Sequence, residues 1–307
     1  MRILFICRHK TKTNISPFVK AQALALTNQG IKVDFFLIKK SGVLGYLKSI
    51  FKLLDFTREK DYDMYHAHYS FSGYVASLAG KKPLIVSLLG TDVLKSSISR
   101  LILRNVSRIF KWKCIIVKSD EMKKLLNTKK IKVVPNGVDF DTFYPITQEK
   151  ARSILNWDLN EKIILFNGNK SNPIKNYDLA HEAIDLCSNN IKVIEMKNLS
   201  QEKLNLYYNA CDLFLSTSLW EGSPNTIKEA MACNTNIISS NVGDVNYLFG
   251  KQKYNHVCAF DPEIISKAIT NSLILKKESN KGRERLIHLS LQGEEVAKKI
   301  INLYHKY

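Results

Sequence analysis

Short apolar segments alternate with amphipathic segments of helical type along the whole chain, and this alternation constrains the fold more than any other feature. In the first half, the runs of strand type are residues 3–7, 33–38, 64–66, 84–88, 114–117 and 132–134. The stretches with helical periodicity between them include residues 18–28, 74–79 and 96–110. Strands that are apolar on both faces and separated by helices predict parallel β-α-β units in a doubly wound sheet.

The alternation pauses at a turn-rich segment, residues 135–145, and then restarts. The second series of strand-type runs comprises residues 163–167, 192–194, 213–215, 236–239 and 256–259. The 307 residues therefore predict an α/β protein of two doubly wound, Rossmann-like domains, residues 1–145 and 146–307, facing each other across a cleft. The last helix can pack back on the first domain. Ligands of such folds bind at the carboxyl ends of the strands.

The positive charge of the chain is concentrated in its first half. Residues 1–145 contain 26 basic and 10 acidic residues, a net charge of +16, whereas the remainder contributes +2 to the total of +18. This asymmetry indicates an anionic partner for the first half: a nucleic acid, a membrane surface or an acidic substrate. A lysine-rich surface that is merely solvated is the alternative.

Composition excludes several other classes of protein. The contents of 45% apolar and 24% charged residues are those of a globular protein and exclude disorder. The six cysteines are scattered without a C-x-x-C pair, which argues against a disulfide scaffold or a zinc site and predicts a cytoplasmic protein. No apolar run reaches the ~18 residues that a membrane span needs. None of the seven histidines has a metal-ligand spacing.

The strongest functional pattern is residues 216–243, STSLWEGSPNTIKEAMACNTNIISSNVG. Glu221 and Gly222 lie in a loop after a strand, and Ser223 or Pro224 opens a helix in which Ser223 can act as the cap. The loop amides and the positive end of the helix predict an anion site suited to a diphosphate. Glu229, on the second turn, is suited to a pair of sugar hydroxyls. An ordinary helix cap with a surface glutamate is the alternative.

Three segments together resemble the family 4 glycosyltransferases. The E-x7-E spacing of Glu221 and Glu229, with G-S-P after the first and A-M-A after the second, is similar to the donor-site motif of that family. Residues 133–145, VVPNGVDFDTFYP, resemble its interdomain signature, and residues 208–218, YNACDLFLSTS, resemble the segment leading into E-x7-E. The opening strand and residues 61–69, DYDMYHAHY, fit more loosely.

The resemblance implies a GT-B fold in which residues 1–145 bind the acceptor and residues 146–307 bind a nucleotide-sugar donor. It also implies sugar transfer with retention of anomeric configuration, without a metal or other cofactor. Glu221 is then expected to orient the sugar as part of the catalytic machinery. The residues that would bind the donor along this segment are Gly222, Ser223, Pro224, Asn225, Thr226 and Glu229.

A second donor element is predicted at residues 165–176, LFNGNKSNPIKN. Gly168 at a strand end permits close approach of the backbone, and Lys170 and Lys175 put ammonium groups at the same edge. The family usually has arginine directly after this glycine and a lysine six residues further on. This chain has Asn169 in place of the arginine and keeps the lysine as Lys175. Lys175, with Lys170 as a point charge, is expected to stabilise the leaving diphosphate. A solvated lysine pair is the alternative.

The first domain departs from the family pattern. Leu89 stands where the family often has the histidine of H-G-T-D, whereas Asp92 is kept. Asp92 is a candidate catalytic residue that contacts the acceptor or the sugar, or else the N-cap of the next helix. The candidates for acceptor binding are Arg8, Asn14, Ser16, His66 and His68. The two histidines are equally compatible with packing in the core.

Two basic amphipathic segments, residues 44–56 and 94–113, lie in the first half. Such helices bind anionic membrane surfaces, although helices packed on a sheet have similar periodicity. The regional charge favours the membrane interpretation. A peripheral position on the inner face of the plasma membrane would bring the protein to a lipid-linked acceptor.

The sequence therefore predicts a retaining glycosyltransferase of the hexosyltransferase type. It would move a sugar from a nucleotide-sugar to a glycan or lipid-linked glycan acceptor in bacterial-type surface polysaccharide biosynthesis. A nucleotide-sugar epimerase of the same fold is one alternative. A basic nucleic-acid-binding protein is an alternative from another class, but no recognisable nucleic-acid motif supports it, and nucleic acid is not an expected partner.

Overall fold

The structure is a computed structural model and describes residues 1–9, 15–40, 42–187, 190–197, 199–275 and 279–307. Packing divides the chain into two compact units. The first unit is Met1–Gly137 with Gly293–Tyr307, and the second unit is Val138–Gln292. The division falls inside the turn-rich segment 135–145.

The first unit is built on a six-stranded parallel sheet with the order β2-β1-β3-β4-β5-β6. Its strands are β1 (Arg2–Arg8), β2 (Lys32–Ile38), β3 (Met64–His68), β4 (Leu84–Ser87), β5 (Cys114–Val117) and β6 (Ile131–Val133). Its helices are α1 (Pro17–Thr27), α2 (Val43–Phe56), α3 (Ser70–Leu78), α4 (Thr91–Leu94), α5 (Ser97–Ile109) and α6 (Asp120–Leu126), joined by the last helix of the chain.

The second unit is built on a five-stranded parallel sheet with the order β11-β10-β9-β7-β8. Its strands are β7 (Lys162–Phe166), β8 (Ile191–Glu195), β9 (Leu213–Ser216), β10 (Ile237–Ser240) and β11 (Asn255–Cys258). The helices from here on are α7 (Gln148–Leu155), α8 (Tyr177–Asp185), α9 (Gln201–Ala210), α10 (Asn225–Ala232), α11 (Val245–Phe249), α12 (Pro262–Leu273), α13 (Gly282–His288) and α14 (Gly293–Lys306). A 3₁₀ turn, Pro173–Lys175, precedes α8, and α14 packs against α1 in the first unit.

The central strands are buried on both faces, as the apolar runs predicted. In β1, Ile3, Leu4, Phe5 and Ile6 have no exposed surface, and the same holds for Ile163 to Phe166 in β7. Continuous apolar strands of this kind are stable only when helices cover both faces of the sheet. The prediction of an α/β protein with two doubly wound sheets is confirmed.

Parallel pairing brings the carboxyl ends of neighbouring strands to one edge of each sheet. In the second unit, Phe166 of β7 pairs with Leu215 of β9, and Ser216 pairs with Ser239 of β10. The loops that follow these three strands therefore meet at a single edge. This edge holds the segments that the sequence predicted to bind a donor.

No helix in the described part of the chain is long and apolar enough to cross a bilayer.

Candidate functional site

The carboxyl edge of the second sheet brings together two residues predicted from separate motifs. Lys175 ends the 3₁₀ turn after β7, and Glu221 lies in the loop after β9. Lys175 Nζ lies 2.7 Å from Glu221 Oε1, and the two side chains are 19% and 23% exposed. The Ser218 hydroxyl donates to the same carboxylate oxygen at 3.2 Å. A cation and an acidic acceptor thus stand side by side, both reachable from solvent.

Contacts beneath this pair fix the position of Lys175. Gly168 has a φ of +151°, and a Cβ added there would lie 2.6 Å from Lys175 Cγ. The glycine therefore lets the lysine side chain cross the end of β7. The Thr217 hydroxyl donates to the carbonyls of Lys175 and Asn176 at 2.9 and 3.0 Å. The lysine backbone is tied directly to the end of β9.

The other two predicted residues of this element have different surroundings. The Asn169 side-chain oxygen accepts hydrogen bonds from the Ser171 amide at 2.9 Å and from the Ser171 hydroxyl, which closes a local turn. Lys170 is exposed, and its ammonium lies 6.0 Å from the ring centroid of Tyr177. Phosphate contacts by Asn169 and Lys170 remain predictions.

Helix α10 begins at Asn225, with Pro224 in the N-cap position and without a side-chain cap. The prediction that Ser223 caps this helix is wrong. Its hydroxyl instead accepts a hydrogen bond from Lys228 Nζ at 3.2 Å. Pro224 and Gly222 are buried, whereas Thr226 in the first turn is half-buried.

Lys228 is a fully buried lysine that the sequence analysis missed. Its neighbours are Ser223 and Asp244, and the Ser223 hydroxyl also hydrogen-bonds to the Asp244 carboxylate. Burial lowers the pKa of Lys228 to about 8, although Asp244 and Glu229 act in the opposite direction. Burial raises the pKa of Asp244, and Lys228 opposes that change. The charged side chains of Lys228 and Asp244 therefore contact Ser223 in the loop between β9 and α10, residues 217–224, which is called the donor loop.

A signal for this cluster existed in the sequence. Lys228 is followed at helical spacing by Met231 and Ala232, which are both buried. A lysine on the same helical stripe as such residues is buried with them, and a buried ammonium needs a polar or acidic partner.

Gly243 lets the backbone of the loop after β10 approach the backbone of the donor loop closely. Gly243 has a φ of +57°, and a Cβ there would lie 2.7 Å from the Gly222 carbonyl oxygen and 2.8 Å from that of Glu221. The Ser240 hydroxyl adds a hydrogen bond to the Ser218 carbonyl at 2.6 Å. The loop that holds Glu221 is therefore supported from its neighbour in the sheet.

Glu229 lies on α10 and is half-buried rather than a plain surface residue. The Tyr208 hydroxyl donates to Oε2 of Glu229 at 3.1 Å. Burial raises the pKa of Glu229 to about 7, while the Tyr208 hydrogen bond and Lys228 oppose the rise. Among the described residues, Tyr208 alone donates to this carboxylate, which leaves Oε1 able to accept from a ligand.

The predicted residues of the first unit occupy three different environments. Arg8 is exposed at the carboxyl end of β1, and Ser16 occupies the N-cap position of α1 without a side-chain capping bond. Asn14 lies outside the described residues. Roles of these residues in acceptor binding remain predictions.

Asp92 is buried in α4, and backbone amides bind both of its carboxylate oxygens. Oδ1 accepts from the Ser70 amide at 2.9 Å and Oδ2 from the Leu89 amide at 2.8 Å. Gly90, not Asp92, is the N-cap of α4. The side chain therefore ties the loop after β4 to the start of α3. A catalytic role for Asp92 remains a prediction.

His66 and His68 are buried, and their rings stack with centroids 4.4 Å apart. His66 Nδ1 lies 2.6 Å from the Tyr304 hydroxyl and Nε2 lies 2.8 Å from the Ser87 hydroxyl. Burial lowers the pKa of His66 to about 3 and that of His68 well below its usual value. Both rings are therefore neutral, and the contacts of His66 favour the core interpretation. His68 Nε2 has no hydrogen-bond partner within the described part of the chain.

Across the described residues, no group of three or more histidine, cysteine, aspartate or glutamate side chains is arranged to hold a metal ion. The expectation of a reaction without metal remains a prediction.

Two family models match the chain. The one described as Glycosyltransferase Family 4 matches residues 16–142, and the one described as Glycosyl transferases group 1 matches residues 184–288. Together they cover more than half of the chain. Two doubly wound units and these matches define a glycosyltransferase with the GT-B fold. The chain belongs to the family 4 glycosyltransferases, as the motifs implied.

Individual proteins extend this likeness. The Escherichia coli enzyme UDP-Gal:alpha-D-GlcNAc-diphosphoundecaprenol alpha-1,3-galactosyltransferase is 23% identical, over 88% of this chain and 81% of its own. Sucrose-phosphate synthase from Thermosynechococcus elongatus has a TM-score of 0.82 at 17% identity, covering 99% of this chain and 98% of its own. Alr3699/HepE from Anabaena, solved with UDP and glucose, has a TM-score of 0.77 at 16% identity, covering 100% of this chain and 100% of its own. These structures share the fold.

Proposed function

We propose that this glycosyltransferase moves a hexose from a UDP-sugar to a lipid-linked glycan acceptor with retention of anomeric configuration, in surface polysaccharide biosynthesis. The observation that carries the proposal is the ion pair of Lys175 and Glu221 at the carboxyl edge of the second sheet. The likeness to a galactosyltransferase that uses UDP-Gal and to a protein solved with UDP and glucose supports the choice of donor.

In the proposed reaction, the bond between the anomeric carbon and the diphosphate oxygen breaks, and its electron pair remains on the diphosphate. The Lys175 ammonium, held in place by Thr217 and Gly168, stabilises this growing negative charge. Glu221 holds the lysine before the donor arrives and then orients the sugar hydroxyls. The acceptor oxygen bonds to the anomeric carbon on the same face, and its proton passes to the leaving phosphate oxygen.

Glu229 is proposed to accept hydrogen bonds from two vicinal hydroxyls of the donor. An ionised carboxylate is an acceptor only and suits this task. Its contact with Tyr208 fixes one oxygen and orients the other. The buried lysine, Lys228, contributes positive charge beneath the same helix.

Peripheral membrane contact is proposed for the first unit because α5 leaves several of its apolar side chains exposed. The helix buries Leu103 and Ser107, whereas four other apolar side chains remain exposed: Ile98 at 69%, Leu101 at 57%, Ile102 at 46% and Ile109 at 71%. A helix that only covers a sheet buries such residues. Exposed apolar side chains beside arginines suit an anionic lipid surface.

The proposal is tested by screening UDP-, GDP- and ADP-hexoses for binding and slow hydrolysis. We expect a UDP-hexose to bind most tightly and to release UDP. Isomerised sugar nucleotide from donor alone would instead identify an epimerase. Binding of duplex DNA or RNA with no nucleotide-sugar binding would contradict the proposal altogether.

A further inference from the structure

An open apolar groove of about 480 Å³ lies in the first unit between α2 and α3. Val43, Leu47 and Ile50 of α2 line one side, and Phe71 and Leu78 of α3 line the other. Its volume is within the range of sites that hold small ligands, roughly 300–1,000 Å³. Of the described residues that were predicted to bind the donor or the acceptor, only Arg8 lines this groove.

Stacked aromatic rings form part of the lining of the groove. The rings of Tyr46 and Phe71 stack with centroids 5.0 Å apart, and those of Tyr69 and Phe71 stack at 5.7 Å. Tyr46 is half-buried, whereas Phe71 is 44% exposed. An apolar cavity of about 480 Å³ has room for a single apolar chain.

The packing of α2 leaves this lining exposed. The helix buries Gly45, Ser49 and Leu53 against the unit. By contrast, Leu47 is 46% exposed, and Leu78 of α3 is 57% exposed. Both leucines line the cavity, and both are accessible to solvent. Exposed apolar surfaces of this kind mark binding sites.

Positively charged side chains lie at the groove and in a second cavity along α2. The exposed Arg8 lies at the carboxyl end of β1 and makes no ion pair with a carboxylate in the described part of the chain. A neighbouring cavity of about 560 Å³ is lined by Lys39, Lys40, Lys48 and Lys52. An apolar channel flanked by positive charge complements a hydrocarbon chain that ends in an anionic group.

We infer that this groove binds the prenyl chain of a diphosphate-linked acceptor, with the diphosphate beside Arg8. The inference rests on the proposed function and adds the location of the acceptor lipid. The groove is distinct from the outward face of α5, which is proposed to contact the bilayer.

The test measures binding of farnesyl diphosphate and of inorganic diphosphate by calorimetry, below the micelle concentration and without vesicles. The wild type is expected to bind farnesyl diphosphate about tenfold or more tightly than diphosphate, since the chain is removed from water. The double variant L47Q/L78Q is expected to lose that preference while its diphosphate affinity stays the same. Its fold is checked by circular dichroism.

The matched control is L24Q/L125Q, which changes two exposed leucines of the same unit outside the groove, at 56% and 37% exposure. It is expected to keep the preference for farnesyl diphosphate. Equal affinity of the wild type for the two probes would overturn the inference. So would loss of anionic-vesicle binding in L47Q/L78Q with unchanged farnesyl diphosphate binding, which would assign the groove to the bilayer. UDP-hexose binding is measured on the same samples, and its absence would count against the proposed function and not against the groove.

Discussion

Lys175 and Glu221, 46 residues apart in the sequence, form an ion pair with a distance of 2.7 Å between Nζ and Oε1. The pair joins the loop after β7 to the loop after β9. Parallel pairing of these strands sets the spacing, and Gly168 leaves room for the lysine side chain. The two motifs are therefore parts of one site.

Replacing Lys175 by methionine is expected to lower donor turnover about a hundredfold or more, because a preorganised cation facing the leaving group is removed. The free energy of unfolding should change by less than about 1 kcal/mol, as is usual for a partly exposed ion pair. Steady-state kinetics and thermal unfolding measure the two effects.

The matched control is Lys192→Met, which breaks the exposed ion pair between Lys192 of β8 and Glu161 just before β7, with 2.8 Å between charged atoms. Its turnover should equal that of the wild type. A similar loss of activity in both variants would show that any surface lysine matters, and would remove Lys175 from the site.

Donor affinity should depend on pH through Glu229. Burial raises the pKa of this carboxyl to about 7, so the side chain becomes protonated as the pH falls through 7. In the proposed site the ionised form accepts from the sugar hydroxyls, and the donor KM should therefore rise as the pH falls from 8 to 6. In Glu229→Gln the KM should be high at both pH values. Glu161→Gln is the control, and a wild-type KM that does not change with pH would contradict this role.

The effects of replacing Lys228 and Asp244 on the free energy of unfolding should depend on each other. Asp244→Ala leaves the charge of the fully buried Lys228 without this carboxylate and is expected to lower the free energy of unfolding by about 3 kcal/mol or more. Lys228→Met also removes a charge that is costly to bury, so its loss is expected to be smaller. The double variant should lose less than the sum of the two. Additive losses in denaturant unfolding would show that the groups do not interact.

The same lysine gives a pH dependence of stability. Its folded-state pKa is lowered from 10.5 to about 8, so the unfolded chain binds more protons between these values. Wild-type stability should therefore gain a contribution as the pH rises from 8 towards 10.5, and Lys228→Met should lack it.

Alanine at position 168 should impair the site through Lys175. The added Cβ would lie 2.6 Å from the lysine Cγ, so the lysine side chain must move away from Glu221. Donor turnover should fall at least about tenfold, in proportion to the lost charge stabilisation. Gly30→Ala is the control, because Gly30 also has a positive φ, +85°, but nothing lies within 4 Å of its added Cβ. Equal activity losses would attribute the effect to backbone strain.

Membrane contact is tested by flotation with vesicles of phosphatidylglycerol and phosphatidylcholine. Ile98→Ser with Ile109→Ser should weaken vesicle binding about tenfold, since two exposed apolar anchors are lost. Ile154→Ser with Ile264→Ser changes exposed isoleucines of the second unit and should have no effect. Failure of the wild type to bind at low salt would contradict the membrane proposal.

The strands and most helices were predictable because their apolar periodicity is local. Contacts between residues that are far apart in the sequence were not predictable. The Tyr304 hydroxyl that binds His66 lies 238 residues away, so the sequence left core packing and acceptor binding equally open. Ser223 was predicted as a helix cap because its position is typical of one, but the buried Lys228 takes its hydroxyl instead.

The configuration of the product tests the central claim most directly. The chain is given an α-linked UDP-hexose and a farnesyl-diphosphate-linked sugar acceptor, and proton NMR reads the anomeric coupling of the new glycosidic bond. The account predicts an α-linkage in the wild type and a much smaller amount of the same product in Lys175→Met. A β-linkage, or equal yields from the two proteins, would contradict it.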